Sequence, residues 1–142
     1  MPKRKVSVLH ASLLALAFVS LGGWAPRVTI AAQNSDYEVV DSGGIYFGRG
    51  SHPRAPAEVA ADSVWAEIPE YRQIVAEELT DDDPKYHILL RKATARFDRA
   101  LGKAAERDGY DMIGEIGAIG RSSDEAAPIP DITDDLIDLV SR

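Results

Sequence analysis

The sequence predicts an α+β fold, a small strand body carrying an antiparallel helical hairpin and a C-terminal helix. Three observations predict it. Two apolar stripes at helical spacing flank a short break at Thr80–Pro84. Gly109 ends the second stripe, and a short apolar stretch from Tyr110 to Ile116 follows it. A last stripe of Ile132, Leu136, Leu139 and Val140 closes the chain behind Asp131.

The first segment reads as an address. Met1-Pro2-Lys3-Arg4-Lys5 is a basic start, and Val6–Leu21 is apolar apart from His10 and three serines. Thr29-Ile30-Ala31 is a small-residue cleavage signal before Ala32. This is the layout of a secretory signal peptide over residues 1–31, so export is expected. An uncleaved inner-membrane anchor is the alternative. The apolar run of 16 residues is shorter than the ~20 a span needs. What remains is enough chain for one small domain.

The full chain has 23 acidic and 16 basic residues, and residues 1–31 hold four of the bases and none of the acids. Phosphate binding needs clustered positive charge, so a nucleic-acid partner is not expected. A basic client, or a divalent cation held loosely by the acidic surface, fits the charge. There is no cysteine, so no disulfide staples the domain and no thiol serves as nucleophile or ligand. Small domains without staples commonly gain stability by oligomerising.

Residues 32–56 read as a flexible N-terminal extension or a hairpin with its turn at Asp41–Gly44. Ala57–Ala61 is a short strand, and Asp62 or Ser63 caps the helix after it. Val64, Ile68, Tyr71, Val75 and Leu79, at spacings of 4, 3, 4 and 4, form one helical face. Pro69 interrupts it, because its ring removes a donor and disfavours helical geometry at Ile68. The expectation is a short turn and then a helix over Pro69–Leu79.

Pro84 suits a first helical position and Asp83 the cap before it. Tyr86, Leu90, Ala93, Phe97, Ala100 and Ala104 recur at 4, 3, 4, 3 and 4, a heptad-like seam. Gly109 suits the left-handed position after that helix. Beyond it come a strand within Tyr110–Ile116, a second short strand at Ala118–Ile119 and a polar loop over 121–128. Asp131 caps the closing helix, with Asp134 completing an approximate capping box.

No residue pattern predicts catalysis, so the chain is expected not to be an enzyme and to need no cofactor. Asp81-Asp82-Asp83 lacks the alternating ligands, glycine and distant bidentate acid of a calcium loop, and reads as a solvated turn. His87 has no second ligand at metal spacing. No serine sits in a Gly-x-Ser-x-Gly elbow. Gly114, Gly117 and Gly120 do not form a phosphate-binding motif. Trp65, Tyr71, Tyr86, Phe97 and Tyr110 offer the contact area of a client surface. Their periodicity makes core packing the competing reading, and Trp65 is the first to test.

The order strand, helix, helix, Gly-Tyr-Asp strand and Asp-Ile-Thr-Asp helix resembles the Skp/OmpH family of periplasmic chaperones. Glu58-Val59-Ala60-Ala61-Asp62-Ser63-Val64-Trp65 is similar to the family's first strand and helix start, and Pro69-Glu70-Tyr71 to the motif that follows. Ala105–Ile113 is similar to the end of the second long helix entering the sheet. Pro130–Ile137 is similar to the closing helix. The resemblance covers residues 57–142.

It implies an ATP-independent periplasmic holding chaperone for unfolded outer-membrane or envelope proteins. It also implies a homo-oligomer, with the trimer as the family's form, and long hairpins projecting as tentacles around the client. Three features depart from the pattern: short hairpin arms, an acidic chain, and residues 33–56 without a counterpart. A non-catalytic envelope scaffold or protein-interaction module, with a Skp-like body and no client cavity, is the alternative. Glu38-Val39-Val40-Asp41-Ser42 also echoes Glu58–Ser63; the first strand is placed at the later copy, since Gly43-Gly44 opposes a helix.

Overall fold

The computed structural model describes residues 35–142; the expected signal segment lies outside them. The elements in order are β1 (Tyr37–Val39), a 3₁₀ turn (Ser42–Gly44), β2 (Ile45–Phe47), β3 (Pro56–Val59), α1 (Ala61–Glu67) and α2 (Pro69–Ala76). After them come α3 (Pro84–Asp108), β4 (Met112–Glu115), β5 (Ile119–Arg121) and α4 (Thr133–Val140). The class is α+β, with helices packed on small sheets. β4 is the centre of a three-stranded sheet, with β3 parallel on one side and β2 antiparallel on the other. β1 and β5 form a separate antiparallel pair.

Residues 37–47 depart from the hairpin expected there. β1 and β2 do not pair with each other; each joins a strand from the far end of the chain. The turn between them is tucked against the β4–β5 connection. Val40 and Asp41 both donate their backbone N–H to the Ala118 carbonyl, and a side chain on buried Gly44 would meet the Ala118 Cβ at 2.8 Å. Gly48 then crosses the chain at φ 91, where a Cβ would lie 2.3 Å from the Asp111 carbonyl oxygen. Only glycine permits that crossing. These residues are therefore part of the sheets.

Two of the phrases that carried the resemblance act as backbone clamps. After Gly109 ends α3 at φ 77, the Asp111 carboxylate accepts from the N–H groups of Arg54 (2.8 Å) and Ala55 (3.0 Å). The Asp111 N–H donates back to the Ala55 carbonyl. This sets the chain into parallel register just before β3. On the other side of β3, Glu58 donates to the Pro130 carbonyl and accepts from the Ile132 N–H. Thr133 accepts from the Ala60 N–H at 2.9 Å and donates its hydroxyl to Asp131. The Asp131 carboxylate also accepts from the Thr133 N–H. It thus closes a turn one residue ahead of the helix, and Asp134 makes no capping-box bond.

The core lies between β3–β4 and helices α1, α3 and α4. Val59, Val64, Ile68, Leu101, Ile113, Leu136 and Val140 are fully buried there. α3 has 25 residues, about 37 Å at 1.5 Å per residue. From Ala93 to Ala104 its buried face follows the expected seam, but nearer its start Leu89 is buried while Leu90 is half-exposed. A 3.5-residue seam needs a partner helix along its length to hold it in phase; a straight helix keeps its 3.6 period and drifts. α2 covers only eight residues.

The phase also slips in α2. Ile68 is extended at φ −71, ψ 121, so the stripe through Val64 and Ile68 does not continue across Pro69. Ile74 points inward, and Val75 is 62% exposed. Asp83 stands at the expected N-cap position before Pro84, but its carboxylate accepts from the Thr80 N–H at 3.1 Å and makes no cap bond to α3. α2 and α3 run antiparallel, as the ion pairs Glu70–Arg96 and Glu77–Lys85 show by their order along the two helices.

Candidate functional site

The break at Pro69 that spoils the helical stripe creates the candidate site. Because Ile68 is extended, the last turn of α1 and the first turn of α2 meet at an angle, and Trp65 and Tyr71 come together edge to face at 5.6 Å. Behind them Phe97 of α3 lies 5.4 Å from Trp65. On its far side Phe97 meets the edge of Tyr46 from β2 at 5.6 Å. The result is a continuous aromatic row, Tyr46–Phe97–Trp65–Tyr71, built from four elements. Phe97 is 4% exposed and belongs to the core; Trp65 and Tyr71 are half-buried and Tyr46 is 38% exposed.

An open recess of about 570 Å³ lies over the outer part of this row, lined by Asp62, Trp65, Ala66, Tyr71 and Leu90. Edge-to-face geometry suits the ring quadrupoles and fixes the two rings relative to each other. An apolar side chain entering the recess would meet rigid aromatic surface on one side and Leu90 on the other.

The other end of the row is polar. The Tyr46 hydroxyl donates to the Glu115 carboxylate at 2.8 Å, and the same oxygen accepts from the Ala61 N–H at 3.2 Å. One carboxylate therefore ties β2, β4 and the start of α1 together. Burial, then the hydrogen bond to Glu115, then the charges of Glu115 and Asp62 push the Tyr46 phenol up to about 12. It stays a neutral donor at any physiological pH.

Beside the recess, Arg96 grips Glu70 through two bonds, Nε to Oε2 at 3.0 Å and Nη2 to Oε1 at 2.9 Å. This planar two-point pairing is the geometry guanidinium favours. The bond from Arg96 holds the Glu70 carboxyl below its ordinary range. Two further shallow recesses lie along α3. One, about 470 Å³, is lined by His87, Leu90, Arg91, Thr94, Ala95 and Asp98. The other, about 340 Å³, lies between α3 and the end of α4 and is lined largely by Arg96, Arg99, Lys103 and Arg142.

Of the aromatic residues singled out in the sequence, Trp65, Tyr71 and Phe97 converge. Tyr86 stacks edgewise on His87 instead, at 5.4 Å. Tyr110 packs against the core at the other end of α3. The His87 ring is hydrogen-bonded to the Asp81 carbonyl at 2.7 Å. Among the described residues, no group of three or more His, Asp or Glu side chains is placed to hold a metal ion. Tyr46, Asp62, Leu90 and Glu115 are the site residues that sequence reasoning missed. In the sequence Asp62 reads as a cap and Leu90 as part of a seam, and neither Tyr46 nor Glu115 carries a local signal of its long-range partner.

The chain is an α+β protein, and its described residues form an aromatic-lined recess at a helix–helix corner. Compared with protein-family models, with curated proteins and with solved structures, it matches none of them. No helix among the described residues is long and apolar enough to cross a membrane.

Proposed function

We propose that this chain is an exported holding protein of the Skp/OmpH type, which binds non-native envelope proteins reversibly and without ATP. The observation that carries the reading is the path of the chain from β3 to α4. β3 leads through α1 and the α2–α3 hairpin into its parallel neighbour β4, and after β5 the closing helix folds back beside β3 at the Pro-Asp-Ile-Thr phrase. This path supports the order the resemblance implies. The half-exposed Trp65–Tyr71 pair supplies an apolar contact surface that reversible holding requires. Assembly through the strand body into a homo-oligomer is part of the proposal, as is residence in the periplasm.

The reading is tested with purified protein mixed with an unfolded outer-membrane protein diluted from denaturant. Suppressed aggregation at molar excess, with no nucleotide present, is the expected result. Unchanged aggregation at every ratio would overturn it.

One observation favours the second reading, a protein-interaction module with no client cavity. α2 ends at Ala76, so the hairpin has no long pair of arms with which to wall a chamber. Crosslinking in the envelope separates the two readings. A holding protein yields many non-native partners, and a scaffold yields one folded partner.

A further inference from the structure

We propose that the recess between Trp65, Tyr71 and Leu90 takes a lysine or arginine side chain of an extended polypeptide, its stem on the aromatic rings and its charge beside Asp62. The inference rests on the protein-binding reading above and names what that surface selects.

The recess is lined by two aromatic rings held edge to face and by one carboxylate, Asp62. A cation over an aromatic face is attracted by the ring quadrupole, most strongly by tryptophan. Long cationic side chains also bury an apolar stem while the head stays near water or a counter-charge. Both halves of such a side chain are provided for.

The local charges leave Asp62 available. Among the described residues Asp62 has no ion-pair partner. Two cations of the α2–α3 pair are engaged elsewhere, Arg96 by two bonds to Glu70 and Arg72 by Glu67 at 3.5 Å. Arg91, next to Leu90 in sequence, lines the separate recess on α3. The chain as a whole is acidic, at a formal charge of −7, which draws basic segments towards it. An acidic segment would meet Asp62 as a like charge and would gain nothing from the ring faces.

Trp65 itself reports the event. The sequence has two tryptophans, Trp24 and Trp65, so the full chain carrying Trp24→Phe has Trp65 as its sole indole. Its emission is titrated with two short extended peptides that share the same Leu and Val residues, one alternating with Lys and the other with Glu. The expected result is a saturable change with the Lys peptide, at an affinity about tenfold above that for the Glu peptide, the size of one well-formed cation–π and carboxylate contact. Asp62→Asn, a surface change, should reduce the Lys preference several-fold. Tyr71→Leu should reduce it while Tyr71→Phe retains it, because Phe keeps the π-face.

Equal affinity for the two peptides would overturn the inference. So would a Lys preference unchanged by both Asp62→Asn and Tyr71→Leu, which would mark a diffuse charge effect. The aggregation assay keeps the two ideas apart. Suppression retained without any Lys preference sinks the recess alone. Loss of both suppression and peptide binding sinks the holding reading with it.

Discussion

The strand body and the α2–α3 hairpin are held in different ways. In the body, β3 is bonded on both edges, to β4 along its length and to Pro130 and Ile132 on the other side. Asp111 and Thr133 satisfy backbone donors around it, and Val59 and Ile113 are fully buried. Towards its tip the hairpin has Val75 and Ile88 half or more exposed, with solvent-facing ion pairs such as Glu77–Lys85. Such pairs contribute little in water. Stability is therefore concentrated in the body and contact surface in the hairpin, and the aromatic recess lies where the two meet. Regions that must bind are commonly drawn from the less stable part of a fold.

The strongest way to break this contrast is through the sheet. Ile113→Ala should cost about 3 kcal/mol, from lost burial and the cavity left in a fully packed site. Urea unfolding followed by far-ultraviolet circular dichroism measures it; a loss below about 1 kcal/mol would show that the core is not centred on β4.

A smaller pair of changes tests the phase of α2. Ile74→Ala should cost about 2 kcal/mol, and the neighbouring Val75→Ala less than about 0.5 kcal/mol, as expected of a surface position. If the two costs were equal or reversed, α2 would be rotated from the arrangement described.

The smallest effect is electrostatic. Glu70 is lowered from 4.5, chiefly by its bond from Arg96. A carboxyl whose folded pKa is depressed contributes stability above its unfolded pKa and loses it as the pH falls through the folded value. Glu70→Gln should thus cost about 0.5–1 kcal/mol near neutrality, and the difference from wild type should shrink as the pH falls below 4.5. Melting temperatures across that range decide it; a constant difference would mean that Glu70 acts through packing alone.

How much of this was legible in the sequence depends on how far apart the interacting residues lie. Gly109 and the run Ala93–Ala104 announce themselves because their partners are one turn away, and the α4 stripe of Leu136 and Val140 is readable for the same reason. The pairing of β1 with β5 and of β2 with β4 joins segments more than sixty residues apart, and three-residue strands carry too little alternation to declare a partner. Ile74 lies outside the stripe of Tyr71, Val75 and Leu79, because the extended Ile68 before Pro69 resets the helical phase further than the interruption alone indicates. The recess was half-visible. Trp65 and Tyr71 stood out by type, but their meeting depends on the corner at Ile68. The Tyr46–Glu115–Ala61 link needs three elements in place before it exists.

The bonds from Glu58 to Pro130 and Ile132 have a consequence for the order in which the protein matures. The residues that cover β3 are made more than seventy positions after it. Until they emerge, β3 has no cover on that side, and exposed strand edges are templates for pairing with other chains. Contacts at such separation also close slowly. A chain that stalls or is cut before Pro130 therefore lacks α4 and carries an adhesive edge on β3. For this protein the last dozen residues decide whether the newly made molecule remains a dispersed species or joins the aggregates it is proposed to prevent.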